Sequence, residues 1–177
     1  MSTEPLDATG TPASTAVFGA RLALDWGAAR IGVAACDDAG LLAYPVETIP
    51  NDPQAYSRIA ALVAKYHPVE LVMGLPLDLR GREALAANKV RNRAQEVSDA
   101  TQLPVRLLDE RLTTAQAAKQ LRAVGRNSAK SRAVIDQVAA VALLRSLIES
   151  GTDQTRELIL PQRIAGTAQQ SKEPKSD

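Results

Sequence analysis

At 177 residues with a formal net charge of +1, the chain has the length of one ordinary domain, and its overall charge does not by itself demand a nucleic-acid partner. Its 45% hydrophobic and 23% charged residues are a globular balance, and no apolar stretch is long enough for a bilayer, so no membrane partner is expected. The single cysteine, Cys36, excludes an internal disulfide framework and suits a reducing cytoplasm.

Residues 1–17 are rich in Ser, Thr, Pro, Ala and Gly and read as a flexible arm. With no Lys or Arg before Arg21 and no apolar run, they do not read as a signal peptide. The body, 18–150, opens with a short strand RLALD over 21–25. A turn at 26–29 leads into RIGVAAC (30–36), and a turn at 37–40 into LLAYPVETI (41–49). Three strands joined by short turns predict an antiparallel meander. Asp52 then reads as an N-cap with Pro53 at the first helical position, for a helix ending near His67 before Pro68.

VELVMGL (69–75) is almost continuously apolar, as a central parallel strand should be. A helix is expected from Arg82 or Glu83 to about Ala100, then a fifth strand VRLLDE over 105–110. Thr113 and Gln116 form a capping box that opens a helix to about Val124. Residues 125–128 break it, and a long apolar helix follows over 131–149. The order predicts an α/β fold with a five-stranded mixed sheet flanked by helices. Residues 151–177 read as a mostly disordered tail, apart from the short apolar run ELILP, which can pack on the body.

Three carboxylates stand where chemistry is plausible. Asp25 ends the first strand, and Gly27 follows it, leaving room for a phosphate or ion. Alone it reads more readily as a solvated turn residue. Asp109 and Glu110 end the fifth strand on opposite faces, so at most one of them can join Asp25. Asp136 opens an otherwise apolar helical row with Ala140, Leu143 and Leu147. Burying that carboxylate is costly unless something pairs with it. An arginine, a position near the helix start, or a metal would each suffice.

Basic residues come in two runs. Arg80, Arg82, Lys89, Arg91 and Arg93 stand against only Glu83, and Arg111, Lys119, Arg122, Arg126, Lys130 and Arg132 have no acid among them. Such runs are either solvated helix faces or phosphate-contacting stripes. With 3% aromatic residues, base stacking is not a general binding mode, so recognition should go through backbone and shape. The one histidine, His67, reads as a helix cap and not as a catalytic base.

The segments LALDWGAARIGVAACD, ELVMGLPLDLRGRE, VRLLDERLTTAQAAKQL and IDQVAAVALL, in that order, closely resemble the YqgF family, also called RuvX, over about residues 19–150. The resemblance implies a ribonuclease H-like fold, similar to the RuvC resolvases. It also implies a cytoplasmic nuclease that matures the 5′ end of precursor 16S ribosomal RNA or, alternatively, resolves four-way Holliday junctions in DNA. The family's acidic positions fall on Asp25, Glu110 and Asp136, which would be both catalytic and metal-binding. Carboxylate oxygens suit Mg²⁺ or Mn²⁺, and two ions about 4 Å apart would assist phosphodiester hydrolysis. Arg82, Arg111, Arg126, Lys130 and Arg132 are the expected contacts to nucleic acid. Cys36 departs from the serine expected there and, if exposed, would permit an intermolecular disulfide.

Two other classes compete. Actin-like ATPases and sugar kinases share a D-x-G strand turn but need a second such domain, for which this chain lacks the length. A non-catalytic ribosome-assembly factor would keep the basic runs without needing convergent acids. The last helix is expected to spend its apolar surface on its own sheet, leaving basic outer faces and hence a monomer or weak homodimer.

Overall fold

Alternation along β1 (Arg21–Trp26) divides its side chains between two apolar layers. Leu22 and Leu24 join one layer and Ala23 the other. The structure, a computed structural model, describes residues 19–77, 80, 86–112, 129–151 and 155–162. β2 (Arg30–Cys36) and β3 (Ala43–Pro50) complete the antiparallel meander that the sequence predicts. α1 (Ala55–Tyr66) leads to β4 (Glu70–Leu75), α2 (Ala87–Thr101) and β5 (Val105–Asp109). A 3₁₀ turn at Glu110–Leu112 follows. The long helix, α3 (Ala129–Ser150), and a last strand, β6 (Thr155–Ile159), end the described chain.

The sheet runs β3-β2-β1-β4-β5-β6, with β4 and β5 parallel to β1 and the other pairings antiparallel. The ribonuclease H-like arrangement is as expected, but among the described residues there are six strands and not five. β6 pairs antiparallel with β5, setting Arg106 opposite Leu158. The ELILP run therefore lies on the body, held also by the Arg91–Glu157 ion pair at 2.6 Å and by Gln95 Nε2 donating to the Leu160 carbonyl at 3.0 Å. Its sequence signal is weak because only alternate residues of this edge strand are covered.

One layer holds α1 and α2 through residues such as Ile59, Ala94 and Val97, packed on Leu22, Leu24, Ile31, Met73 and Leu107. A fully buried side chain of this size stabilises by roughly 1.5–3 kcal/mol. The other layer seats α3 through Ala139, Ala140, Leu143 and Leu144 on Ala23, Ala34, Val72 and Leu108. Small residues on both sides of that contact bring the helix close to the sheet.

Two helix ends test the sequence reading. Asp52 Oδ1 accepts from the Gln54 N–H and from Arg58, but the helix starts at Ala55, so Pro53 lies in the turn before it and not at its first position. His67 does cap α1, in a left-handed conformation at φ 48°, with its N–H on the Val63 carbonyl. The predicted helix over 113–124 lies outside the described residues. Among the described residues no helix is long and apolar enough to cross a membrane.

Candidate active site

The sheet face beneath α3 is graded along the strands. Parity places Arg21, Ala23 and Asp25 of β1 on it, beside Glu70, Val72 and Gly74 of β4. At one end Glu70 is gripped by Arg106 at 2.8 and 3.0 Å and by Arg21 at 2.7 Å, all three side chains nearly buried. Burial pushes the Glu70 carboxyl up, but the two guanidiniums outweigh it and hold it below its ordinary value. The middle is apolar. At the other end stands Asp25, 2% exposed.

Asp25 has a glycine beside it on each neighbouring strand. Across the β1–β2 pairing it faces Gly32. On the other side Leu24 pairs with Met73, which sets Gly74 next to Asp25. Each glycine is covered by one of the other two acids. A Cβ on Gly32 would lie 2.1 Å from the Asp136 carbonyl oxygen, so the backbone of α3 rests directly on the strand there. A Cβ on Gly74 would lie 3.1 Å from Glu110 Oε1. The fold thus brings Glu110, Asp25 and Asp136 to one end of one face, with Asp25 between the others and all three buried.

The backbone around Asp25 is fixed from the opposite layer. Trp26 turns its ring toward α1 and α2, 5.7 Å from Tyr56 and with the Arg93 guanidinium 4.8 Å away. Gly27 donates its N–H to the Arg30 carbonyl at 2.8 Å and closes the hairpin. Gly32 and Gly74 therefore let the α3 backbone and the Glu110 carboxylate come close beside Asp25, while Gly27 serves the turn.

Asp109 and Glu110 separate as alternation requires. Asp109 is fully buried and takes Arg111 Nη2 at 2.7 Å, Arg111 Nε at 3.0 Å, the Arg111 N–H at 3.1 Å and Arg156 Nη2 at 2.7 Å. The Arg111 guanidinium, helped by Arg156 and opposed by burial, holds its carboxyl well below the usual carboxylate range. The same contacts fix the 3₁₀ turn that begins at Glu110.

Asp136 has an arginine partner, one of the three options that its apolar row leaves open. Arg30 Nε, at the start of β2, donates to Asp136 Oδ2 at 3.1 Å. Among the described residues no three of His, Cys, Asp and Glu are placed to hold one ion together. The donor set still suits a hard divalent cation, because Mg²⁺ commonly uses one or two carboxylates and keeps several waters.

Of the expected nucleic-acid contacts, Arg111 lies at the site, bound to Asp109. Arg82 and Arg126 lie outside the described residues, as do the side chains of Lys130 and Arg132 on the first turn of α3. Cys36 is 1% exposed, its sulfur accepts the Arg21 N–H, and burial pushes its thiol up, so it offers no surface thiol for a disulfide. On the described part of the outer face of α3, Val134 and Val138 are over half exposed and line a groove with Pro45, Val141 and Arg145. Sequence reasoning missed Arg30, Arg156 and Gly32. Of these only Gly32 left a signal, since a glycine inside a strand marks a close backbone approach.

The profile of one protein family, described as RuvX, Holliday junction resolvase, matches residues 19–150. A Cutibacterium acnes protein assigned as a pre-16S rRNA nuclease is 51% identical over 136 residues, 76% of this chain and 85% of that one. A Streptomyces coelicolor protein with the same assignment is 53% identical over 75% of this chain and 81% of its own. A third, from Mycobacterium tuberculosis, is 44% identical over 82% of this chain and 87% of its own. The T. thermophilus RuvC structure in complex with a Holliday junction substrate gives a TM-score of 0.48 at 12% identity, covering 77% of this chain and 98% of that one. On the family match and these close relatives, the chain belongs to the RuvX family.

Proposed function

We propose that this chain is a cytoplasmic, divalent-metal-dependent nuclease whose main role is maturing the 5′ end of precursor 16S ribosomal RNA. The observation that carries the reading is the buried Asp25, flanked by Gly32 and Gly74, with Asp136 over the first and Glu110 beside the second. Relatives at 51% and 53% identity assigned as pre-16S rRNA nucleases support the substrate.

Mg²⁺ or Mn²⁺ bound there would supply an activated water and neutralise charge on the leaving 3′ oxygen. The chain's own part is to hold the acids. Asp25, Glu110 and Asp136 would be the residues that hold the ions. Arg111, steadied by Asp109 one residue from Glu110, stands where the phosphate backbone would pass. Lys130 and Arg132, with Arg82 and Arg126, would extend the contact along the duplex.

The test is cleavage of precursor 16S ends and of four-way DNA junctions, with Mg²⁺ and with Mn²⁺, by the wild type and by Asp25→Asn. Cleavage of the RNA that disappears in Asp25→Asn is the expected result. Full activity in that variant would sink the assignment. The second reading, junction resolution, is favoured by the apolar groove on the outer face of α3, because paired cutting needs two sites held in a symmetric dimer. A tight dimer in sedimentation under reductant, making paired nicks in junctions and ignoring the RNA, would put that reading first.

A further inference from the structure

Glu70 and Asp109 in the sheet and Asp136 on the helix above it are buried acids with arginine partners, and the partners hold them differently. Glu70 receives two prongs from Arg106 and one from Arg21, the shortest at 2.7 Å. Asp109 receives two prongs from each of Arg111 and Arg156, the shortest again 2.7 Å. Arg30 gives Asp136 a single prong, Nε at 3.1 Å. Forked contacts at 2.7–2.9 Å are the strong form of the arginine–carboxylate pair, and a single longer one is weak.

The weak pair sits at the proposed metal site. Asp136 is 2% exposed, so its charge needs a cation whatever the state of the protein. Arg30 reaches it from the end of β2 just past the hairpin turn, with its side chain 29% exposed and a route to solvent. Asp25 lies close by, since its pairing partner Gly32 is the residue on which the Asp136 backbone rests.

We propose that Arg30 is a placeholder cation: it neutralises Asp136 while no divalent ion is bound and is displaced from that carboxylate when one enters. Metal loading is therefore an exchange of one cation for another, and the ion's apparent affinity is reduced by the cost of releasing Arg30. The exchange keeps a buried carboxylate from being stranded at any stage. The inference rests on the reading of Asp136 as a metal ligand.

The experiment is titration of the full chain with MnCl₂ and with MgCl₂, by calorimetry and by thermal melting, in wild type, Arg30→Ala, Arg30→Gln, Arg30→Lys and Asp136→Asn. Arg30→Ala and Arg30→Gln should melt lower than wild type without metal and bind Mn²⁺ roughly tenfold tighter, since the competing charged hydrogen bond is gone. Their metal-induced rise in Tm should accordingly exceed that of wild type. Arg30→Lys, which keeps the charge, should stay near wild-type affinity. Arg30→Gln keeps the length of the side chain and serves if Arg30→Ala does not fold. Unchanged or weaker Mn²⁺ binding in the uncharged variants, with binding lost in Asp136→Asn, would overturn the placeholder and leave the metal site standing. Wild-type binding in Asp136→Asn would instead remove the ligand assignment beneath it.

Discussion

Replacing Gly32 by alanine adds one methyl group where the structure has least room. The new Cβ would stand 2.1 Å from the Asp136 carbonyl oxygen and 2.3 Å from its carbonyl carbon. Both are backbone atoms, so no rotamer change relieves the clash. Opening the gap from 2.1 Å to the 3.4 Å of ordinary contact moves the start of α3 off β2 by about 1.3 Å. Overpacking of this kind costs about 2 kcal/mol, which for a domain of this size lowers Tm by about 6 °C. The functional loss should be larger than the loss of stability, because Asp136 rides on the displaced turn. A misplacement of about 1 Å in a catalytic array commonly costs about 100-fold in kcat. The assay is a thermal melt paired with single-turnover cleavage at saturating Mn²⁺, run well below the variant's Tm. A variant that melts several degrees lower yet cleaves at the wild-type rate would refute the placement of the site at this contact.

Gly74→Ala should do the reverse. Its Cβ meets Glu110 Oε1 at 3.1 Å and Leu143 Cδ2 at 3.3 Å, both at the ends of flexible side chains, so Tm should fall by no more than about 3 °C while metal affinity and kcat drop together. Equal metal affinity in this variant and the wild type would take Glu110 out of the site. Glu70→Gln leaves Arg21 and Arg106 buried without their counter-charge and should cost about 3 kcal/mol at pH 7. Because the folded protein holds the Glu70 carboxyl below its ordinary value, its contribution is present above the unfolded pKa and lost as pH falls through the folded one. Denaturation from pH 7 to pH 3 should therefore show variant and wild type converging in acid, and a gap that stays constant with pH would contradict this. Changing Arg126, Lys130 and Arg132 to alanine should weaken nucleic-acid binding across sequences and lower the slope of log K against log salt by about 1–3, as filter binding at several KCl concentrations would record. An unchanged slope would make that run a solvated face.

The parts of the fold that were legible were those where one local signal met no rival. β2 has the bounds its apolar run predicts. β3 starts later than its run because Asp37 Oδ1 takes the N–H groups of Leu41 and Leu42 into a turn, leaving both side chains exposed. Asp25, Glu110 and Asp136 were visible as acids at strand ends and on an apolar helix row, and alternation alone separated Glu110 from Asp109. What no local pattern carries is the pairing across the sequence. Arg30 and Asp136 are 106 residues apart, and Arg156 and Asp109 are 47 apart. Only the sheet order brings them together.

The grip on each acid also orders the steps by which the site can work. Glu70 and Asp109 are each gripped by two arginines, which hold both carboxyls below their ordinary values, so the face they belong to has its charges matched without an ion. Asp109 passes that rigidity to its neighbour, because the Arg111 N–H that it accepts belongs to the turn carrying Glu110. Asp25 is fixed by the strands on both sides of it and by Trp26 behind. At Asp136 the described arginine contact is one long prong from Arg30, which is itself partly exposed. Asp25 and Glu110 are thus set by the sheet and its turn, while Asp136 sits on a helix and, under the proposal above, would exchange Arg30 for an ion. If Asp25, Glu110 and Asp136 hold an ion as proposed, Asp136 would be the ligand that adjusts on binding. Metal binding should therefore tighten the contact between the start of α3 and β2. Amide exchange provides the measure: protection of the first turns of α3 should rise on adding Mn²⁺ while that of β4 and β5 stays as it was. A uniform rise across the sheet would mean that the ion stabilises the whole fold and has no special hold on that helix.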